Sequence, residues 1–193
     1  MNTPAHLLLG MGALARPNSP NINVAAFAGS LVPDLSLYLL VSYALIVNGI
    51  PPNVVFGELY YSTEWQRIFA FDNSVFVWLG TAAAGWWLRR DWLLVFGIAG
   101  ILHVGTDLPL HHDDGRQHFW PLSDWVFESP VSYWDPAQYG NIIGPIEGVL
   151  CVAIAFWMFR RFRSFVSRAL ISLLVALEVL PILGAMLQFG SGP

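Results

Sequence analysis

The sequence predicts an all-α protein, a polytopic membrane bundle of about five or six helices in a single domain, residues 1–193. Three observations carry that prediction. Hydrophobic residues make up 55% of the chain and charged residues 11%, whereas a soluble domain carries about 25% charged residues. Apolar runs recur from one end to the other. Arg16, Arg89, Arg90, Arg160, Arg161, Arg163 and Arg168 all fall in short connections between those runs, the distribution that results when basic residues stay on the cytoplasmic side of a bilayer.

The first apolar run, residues 6–15, begins just after Pro4 and stops at Arg16, and the second, 22–50, carries Pro33 in its interior. Proline removes an amide donor, so a kink there frees a backbone carbonyl for other uses. Residues 75–88 form the third run, and Asp72 ahead of it reads as a helix cap. The fourth, 92–108, follows Arg89 and Arg90 and meets Pro109; the fifth, 145–159, opens on Pro145; the sixth, 169–189, contains Pro181. Several are shorter than the roughly 20 residues that cross a bilayer squarely, which suits a bundle with tilted or re-entrant members. Residues 51–74 and 111–144 are polar and read as loops. With the arginine turns cytoplasmic, six spans place both loops on the opposite face, and Trp86, Trp87 and Trp92 mark the inner interface.

Composition excludes several function classes. A net charge of -4 without a single lysine argues against a nucleic-acid partner. Cys151, the one cysteine, offers neither a disulfide framework nor a cysteine metal knuckle. No basic segment precedes the first apolar run, so a cleaved secretory signal is not expected and Met1 is expected to remain. A glycine-rich phosphate loop is also missing.

Four of the five histidines fall within HVGTDLPLHHDDGRQH, residues 103–118, together with Asp107, Asp113 and Asp114. His103 and Asp107 are four apart near a predicted helix end, so their side chains share a face and can hold one cation. They could instead bond each other as a capping pair, but three further imidazoles nearby favour a metal. Pro109 stops the helix and lets the chain turn His111 or His112 back towards it.

Depth gives an independent test. Counted from the arginine turns, His6 and Glu178 lie about 15 Å in and His103 and Glu147 about 20 Å; counted from Ile22, where the second run begins, Asp34 lies about 18 Å in. Groups from five helices thus meet near the middle of a core roughly 30 Å thick, where a charge is costly unless paired, metal-bound or hydrated. Asp72 and Asp107 fall further out, at about 25 Å. Each has a plainer role open to it: His6 as a helix-start residue facing water, Asp34 as a cap, Glu147 as a first-turn acid favoured by the helix dipole, and Glu178 as a partner for a neighbouring helix. Residues 118–139 are crowded with rings, which suits either an interfacial belt or a lid over a lipid headgroup. Gly140, Gly144 and Gly148 repeat at every fourth position and permit close contact within the bundle or in a homo-oligomer.

Several short motifs resemble a known family. Pro4, Ala5 and His6 with the apolar residues that follow, then Leu31, Val32, Pro33 and Asp34, then His103 to Asp107 with Trp120 and Pro121, occur in the order found in bacterial inner-membrane proteins known as membrane-bound metal-dependent hydrolases. The helical fold of that family is similar to that of zinc-dependent phospholipase C. Where the family's middle motif carries two histidines before a serine, this chain reads Phe71, Asp72, Asn73 and Ser74. The resemblance implies a hydrolase of the inner membrane, facing the non-cytoplasmic side and acting on a phosphoester of a lipid or lipid-linked substrate. The expected ligands of one or two divalent ions, zinc or else manganese or iron, are His6, Asp34, Asp72, His103, Asp107, His111 and His112. Asp34 is also the candidate general base, with His118 and Asp124 as supporting or leaving-group residues. Two other classes fit the same residues: a protein that handles or transports a metal or cobalt compound, and a non-catalytic interaction protein with a structural metal clip.

Overall fold

The computed structural model describes residues 1–189, with side chains as far as Gly184. Seven helices carry the fold: α1 (Thr3–Leu14), α2 (Pro20–Ser42), α3 (Thr63–Asp72), α4 (Val75–Trp87), α5 (Asp91–Asp107), α6 (Gly140–Arg161) and α7 (Phe165–Phe189). No strand occurs among the described residues. Proline sits in the first turn of α1 and of α2, where its missing amide has no partner to lose. Pro33 is accommodated within α2, which runs on through a π-helical turn, Tyr43–Val47.

Five segments are long and apolar enough to cross a membrane: Pro20–Val47, Thr63–Trp87, Asp91–Leu110, Gly140–Arg161 and Phe165–Gly184. The predicted all-helical bundle is therefore present, with five such segments and a shorter apolar α1. Residues 51–74 depart from the loop expected of them. They hold a helical turn at Pro52–Val54, a π-helical turn at Val55–Leu59 and the whole of α3. Glu64, Gln66 and Arg67 dilute the apolar pattern of α3, but Ser62 caps it by accepting the Trp65 amide at 3.4 Å. Asp72 is not the cap of α4; Ser74 is, accepting the amides of Phe76 and Val77. α6 begins at Gly140 instead of residue 145, so Pro145 lies inside it.

α1 is the hub. Its Ala5 and Leu8, with Ala15 just past its end, pack with Cys151, Ala155 and Met158 of α6 and Ile171 of α7, while Met11 and Leu14 meet Ala25, Ala26 and Val95 of α2 and α5. Backbones approach closely where side chains vanish: a methyl at Gly29 would collide with the Phe96 carbonyl, and one at Gly97 with the Ala82 backbone. Of the predicted glycine series, Gly148 faces Ile182 of α7 and Gly144 the Tyr133 carbonyl, so both serve contacts within the chain. The outer surface is apolar, with Ile46 80% and Trp87 79% exposed.

Candidate metal centre

His6 comes from the first turns of α1, Asp34 from α2 just past the proline, and His103 and Asp107 from the last turns of α5. α5 leaves the arginine turn at Asp91 and ends at Asp107, so the group lies at the opposite end of that helix from Arg89 and Arg90. His6, His103 and Asp107 are buried, and one ligand atom from each lies within 4.8 Å of the others. The two imidazoles stack with centroids 3.5 Å apart and planes at 11°.

Hydrogen bonding fixes which nitrogens are available. His103 Nδ1 lies 2.7 Å from the Ser30 carbonyl, which only accepts, so Nδ1 carries the proton. Ser30 belongs to the turn of α2 just ahead of Pro33, but the carbonyl whose intrahelical partner Pro33 removes is that of Gly29, four residues back, so the contact is not the one the proline was expected to free. In the neutral ring His103 Nε2 is then a lone pair, buried without a hydrogen-bond partner, 3.3 Å from Asp107 Oδ2 and 3.6 Å from Asp34 Oδ1. Thr106 Oγ1 donates to the Leu102 carbonyl at 2.8 Å, leaving lone pairs for His6 Nδ1 at 3.3 Å. His6 Nε2 therefore faces Asp107 Oδ1 at 2.8 Å, lone pair to lone pair, unless a proton or a cation lies between them. An unpartnered His103 Nε2 beside a His6 Nε2 set against a carboxylate, each ring braced from behind by a carbonyl or a hydroxyl, is an arrangement that suits a divalent ion. A buried His6, His103 and Asp107 cluster that could hold a metal ion is thus present.

Asp34 and His111 stand at its edge. One Asp34 oxygen is held by the Thr3 hydroxyl, which also meets the Tyr38 hydroxyl at 2.8 Å. His111 sits between carboxylates, with Nε2 3.3 Å from Asp107 and Nδ1 2.9 Å from Asp114, the latter contact too bent for a hydrogen bond. Burial alone would lower the His111 pKa, but Asp107 and Asp114 outweigh it and the net shift is upward. The Met1 ammonium also reaches Asp107 Oδ1, at 2.8 Å.

Other predicted site residues lie elsewhere. Asp72 accepts from the Asn73 side chain at 2.9 Å, beside the Pro33 carbonyl to which Asn73 also donates. His112 Nδ1 turns to the Ser129 carbonyl at 2.7 Å. His118 is buried against the junction of α3 and α4, with Nδ1 donating to the Asn73 carbonyl at 3.1 Å. Asp124 is exposed in the long loop. None of these four is in the group able to share an ion. Glu147 and Glu178 clamp Asn2 ahead of α1, accepting from its amide at 2.8 Å and its side chain at 3.2 Å.

A cavity of about 370 Å³ reaches the cluster at Asp107, with Asp34, His111, Asp114, Arg116, Tyr60 and Tyr133 also in its walls. Burial pushes the Tyr60 hydroxyl up to about 12 and raises Tyr133 as well, so both remain neutral donors near neutral pH. Arg116, Ser30 and Thr106 were not singled out in the sequence. Arg116 had a signal there, as the lone cation of the histidine-rich stretch; Ser30 and Thr106 act by a carbonyl and a hydroxyl that no motif marks.

No protein-family model, no curated protein and no solved structure matches the chain. What it does has to be read from its own side chains.

Proposed function

We propose that the chain is a membrane-bound, metal-dependent hydrolase acting on a phosphoester of a lipid or lipid-linked substrate. The observation that supports this most is the convergence of His6, His103 and Asp107 within 4.8 Å, with His103 Nε2 buried and unpartnered. These are also motif residues of the family that the sequence resembles, brought from separate helices to one place. When bound, a divalent ion such as zinc, manganese or iron supplies Lewis acidity and makes water nucleophilic near neutral pH.

The protein's own groups do the rest. Ser30 and Thr106 hold the two imidazoles in the ligating tautomer. Asp34, steadied by Thr3 and 3.6 Å from His103 Nε2, is placed to take a proton from attacking water. The cavity has room for a headgroup-sized moiety, leaving acyl chains outside in the bilayer. Because Arg89, Arg90 and the Arg160–Arg168 turn lie at the other end of α5, α6 and α7, we assign the site to the non-cytoplasmic side of a bacterial inner membrane.

A structural clip is the second reading, since the cluster joins α1 to α5. Metal analysis of the purified protein, paired with a phosphodiesterase screen of wild type and His103→Ala, tests the first. Stoichiometric metal and turnover that both vanish in the variant support hydrolysis. Metal-free wild type sinks it, and an Asp107→Ala variant that loses thermal stability along with its metal, in a protein with no turnover to lose, leaves the clip.

A further inference from the structure

Arg116 is 8% exposed, and its Nη1 is buried with no hydrogen-bond partner. Asp72 and Asp114 lie within electrostatic reach of Arg116, but burial without a hydrogen-bonded partner is costly for a guanidinium, which is never deprotonated in proteins. Asp114, its near neighbour in sequence, lies against His111 instead, and among the described residues no carboxylate forms an ion pair with Arg116. Its contacts are with rings: the guanidinium carbon stands 4.2 Å from the Phe69 centroid and 4.8 Å from that of Tyr60. Such contacts fix the guanidinium plane through its faces and take none of its N–H groups. The residue lines the same cavity as Asp107, His111 and Tyr133.

We propose that Arg116 is an anion subsite of that cavity, binding a phosphate-type oxyanion through its N–H edge. A held, planar fork with unsatisfied donors matches two oxygens of a tetrahedral anion, a geometry that a point-charge ammonium cannot reproduce. The ring faces supply orientation, and the missing partner is supplied by the ligand. The role in substrate selection rests on the hydrolase reading: Arg116 favours anionic phosphoesters over neutral esters of the same size. The binding itself requires no turnover and no metal.

The test is binding of inorganic phosphate to the full-length protein in detergent, with and without zinc, for wild type, Arg116→Gln and Arg116→Lys. Glycerol phosphate and short-chain phosphatidylglycerol serve as soluble and lipid arms, and the matching neutral diacylglycerol as control. Arg116→Gln is expected to weaken phosphate binding roughly tenfold or more with zinc content unchanged, and Arg116→Lys to fall between. Tighter binding of the lipid arm names a headgroup as the source of the anion; equal binding of glycerol phosphate names a soluble one. Phosphate affinity equal in wild type and both variants, or no phosphate binding by wild type, overturns the subsite. Arg116→Lys carries the comparison if Arg116→Gln fails to fold. Arg116-dependent phosphate binding in a protein without turnover supports the subsite while the hydrolase reading falls. Turnover that is unaltered in Arg116→Gln, in KM and in charge preference, does the reverse.

Discussion

Thr106 is not among the candidate ligands, yet its hydroxyl, by donating to the Leu102 carbonyl, favours the His6 tautomer in which Nδ1 carries the proton and Nε2 is free towards Asp107. Thr106→Val removes that hydroxyl at nearly constant volume and is expected to weaken metal binding roughly 10–100-fold, the usual cost of losing a brace behind a ligand. Competition with a chelator of known affinity measures it; unchanged affinity would show that the tautomer is set elsewhere. His118 makes a prediction of another kind. Burial holds its pKa below the ordinary 6.5, against the opposing pull of the Asn73 carbonyl. The unfolded chain therefore takes up this proton more readily than the folded one. Its contribution is complete well above pH 6.5 and is lost as the pH falls through 6.5 towards the lower folded value. Thermal melts between pH 7.5 and pH 5 will show this as a slope that flattens in His118→Gln. In the sequence, His103, Asp107 and His6 were legible because ionisable groups deep in an apolar chain call for a partner. Asp72, at the end of α3, and His112 and Asp124, in the long loop, share their residue types but stand outside that group, since where a helix ends and how a loop turns is not encoded in composition.

At the level of elements, α1 is short for a span but is held at both ends. Asn2 is clamped by Glu147 and Glu178, and at the far end Arg161 donates to the Gly12 and Ala15 carbonyls at 3.2 and 2.9 Å. Arg161→Ala leaves those carbonyls unpaired and is expected to cost about 1.5–3 kcal/mol, the range for hydrogen bonds to a charged donor. Because α1 carries His6, metal affinity will drop with stability. Denaturant titration beside chelator competition separates this from Thr106→Val, which moves affinity alone. Six of the seven helices were visible as apolar runs. α3 was not, because it is a half-helix within the span Thr63–Trp87, broken at Asn73, and its polar residues look like loop when read without the continuation into α4.

For the whole molecule, polarity is arranged inside out. Apolar residues such as Val24, Ile46 and Trp87 are exposed on the outer surface, whereas His6, His103, Asp107, Arg116, Glu147 and Glu178 are buried. Lipid tails provide no hydrophobic drive for helices to associate, so cohesion depends on small-residue contacts and on satisfied polar groups. Occupancy of the centre will therefore be felt globally. At a metal concentration a hundredfold above Kd, ion binding is expected to stabilise the fold by about 2.7 kcal/mol, and a chelator to remove that increment. Melting curves with and without metal measure it, and His103→Ala will be insensitive to both.

The chain from residue 111 to residue 139 has almost no regular structure, yet its backbone is sewn to its surroundings. Ser129 N–H donates to the His111 carbonyl at 3.0 Å and Tyr133 N–H to that of Leu110 at 3.1 Å, while Ser132 N–H donates to Gln138 at 2.8 Å. Measured by the clock of amide exchange, these three positions will behave like helix, retaining deuterium long after Asp124 and its neighbours at the tip have lost theirs. The wall that carries Tyr133 beside the cavity is therefore a fixed surface, and any ligand of that cavity has to fit the opening it finds.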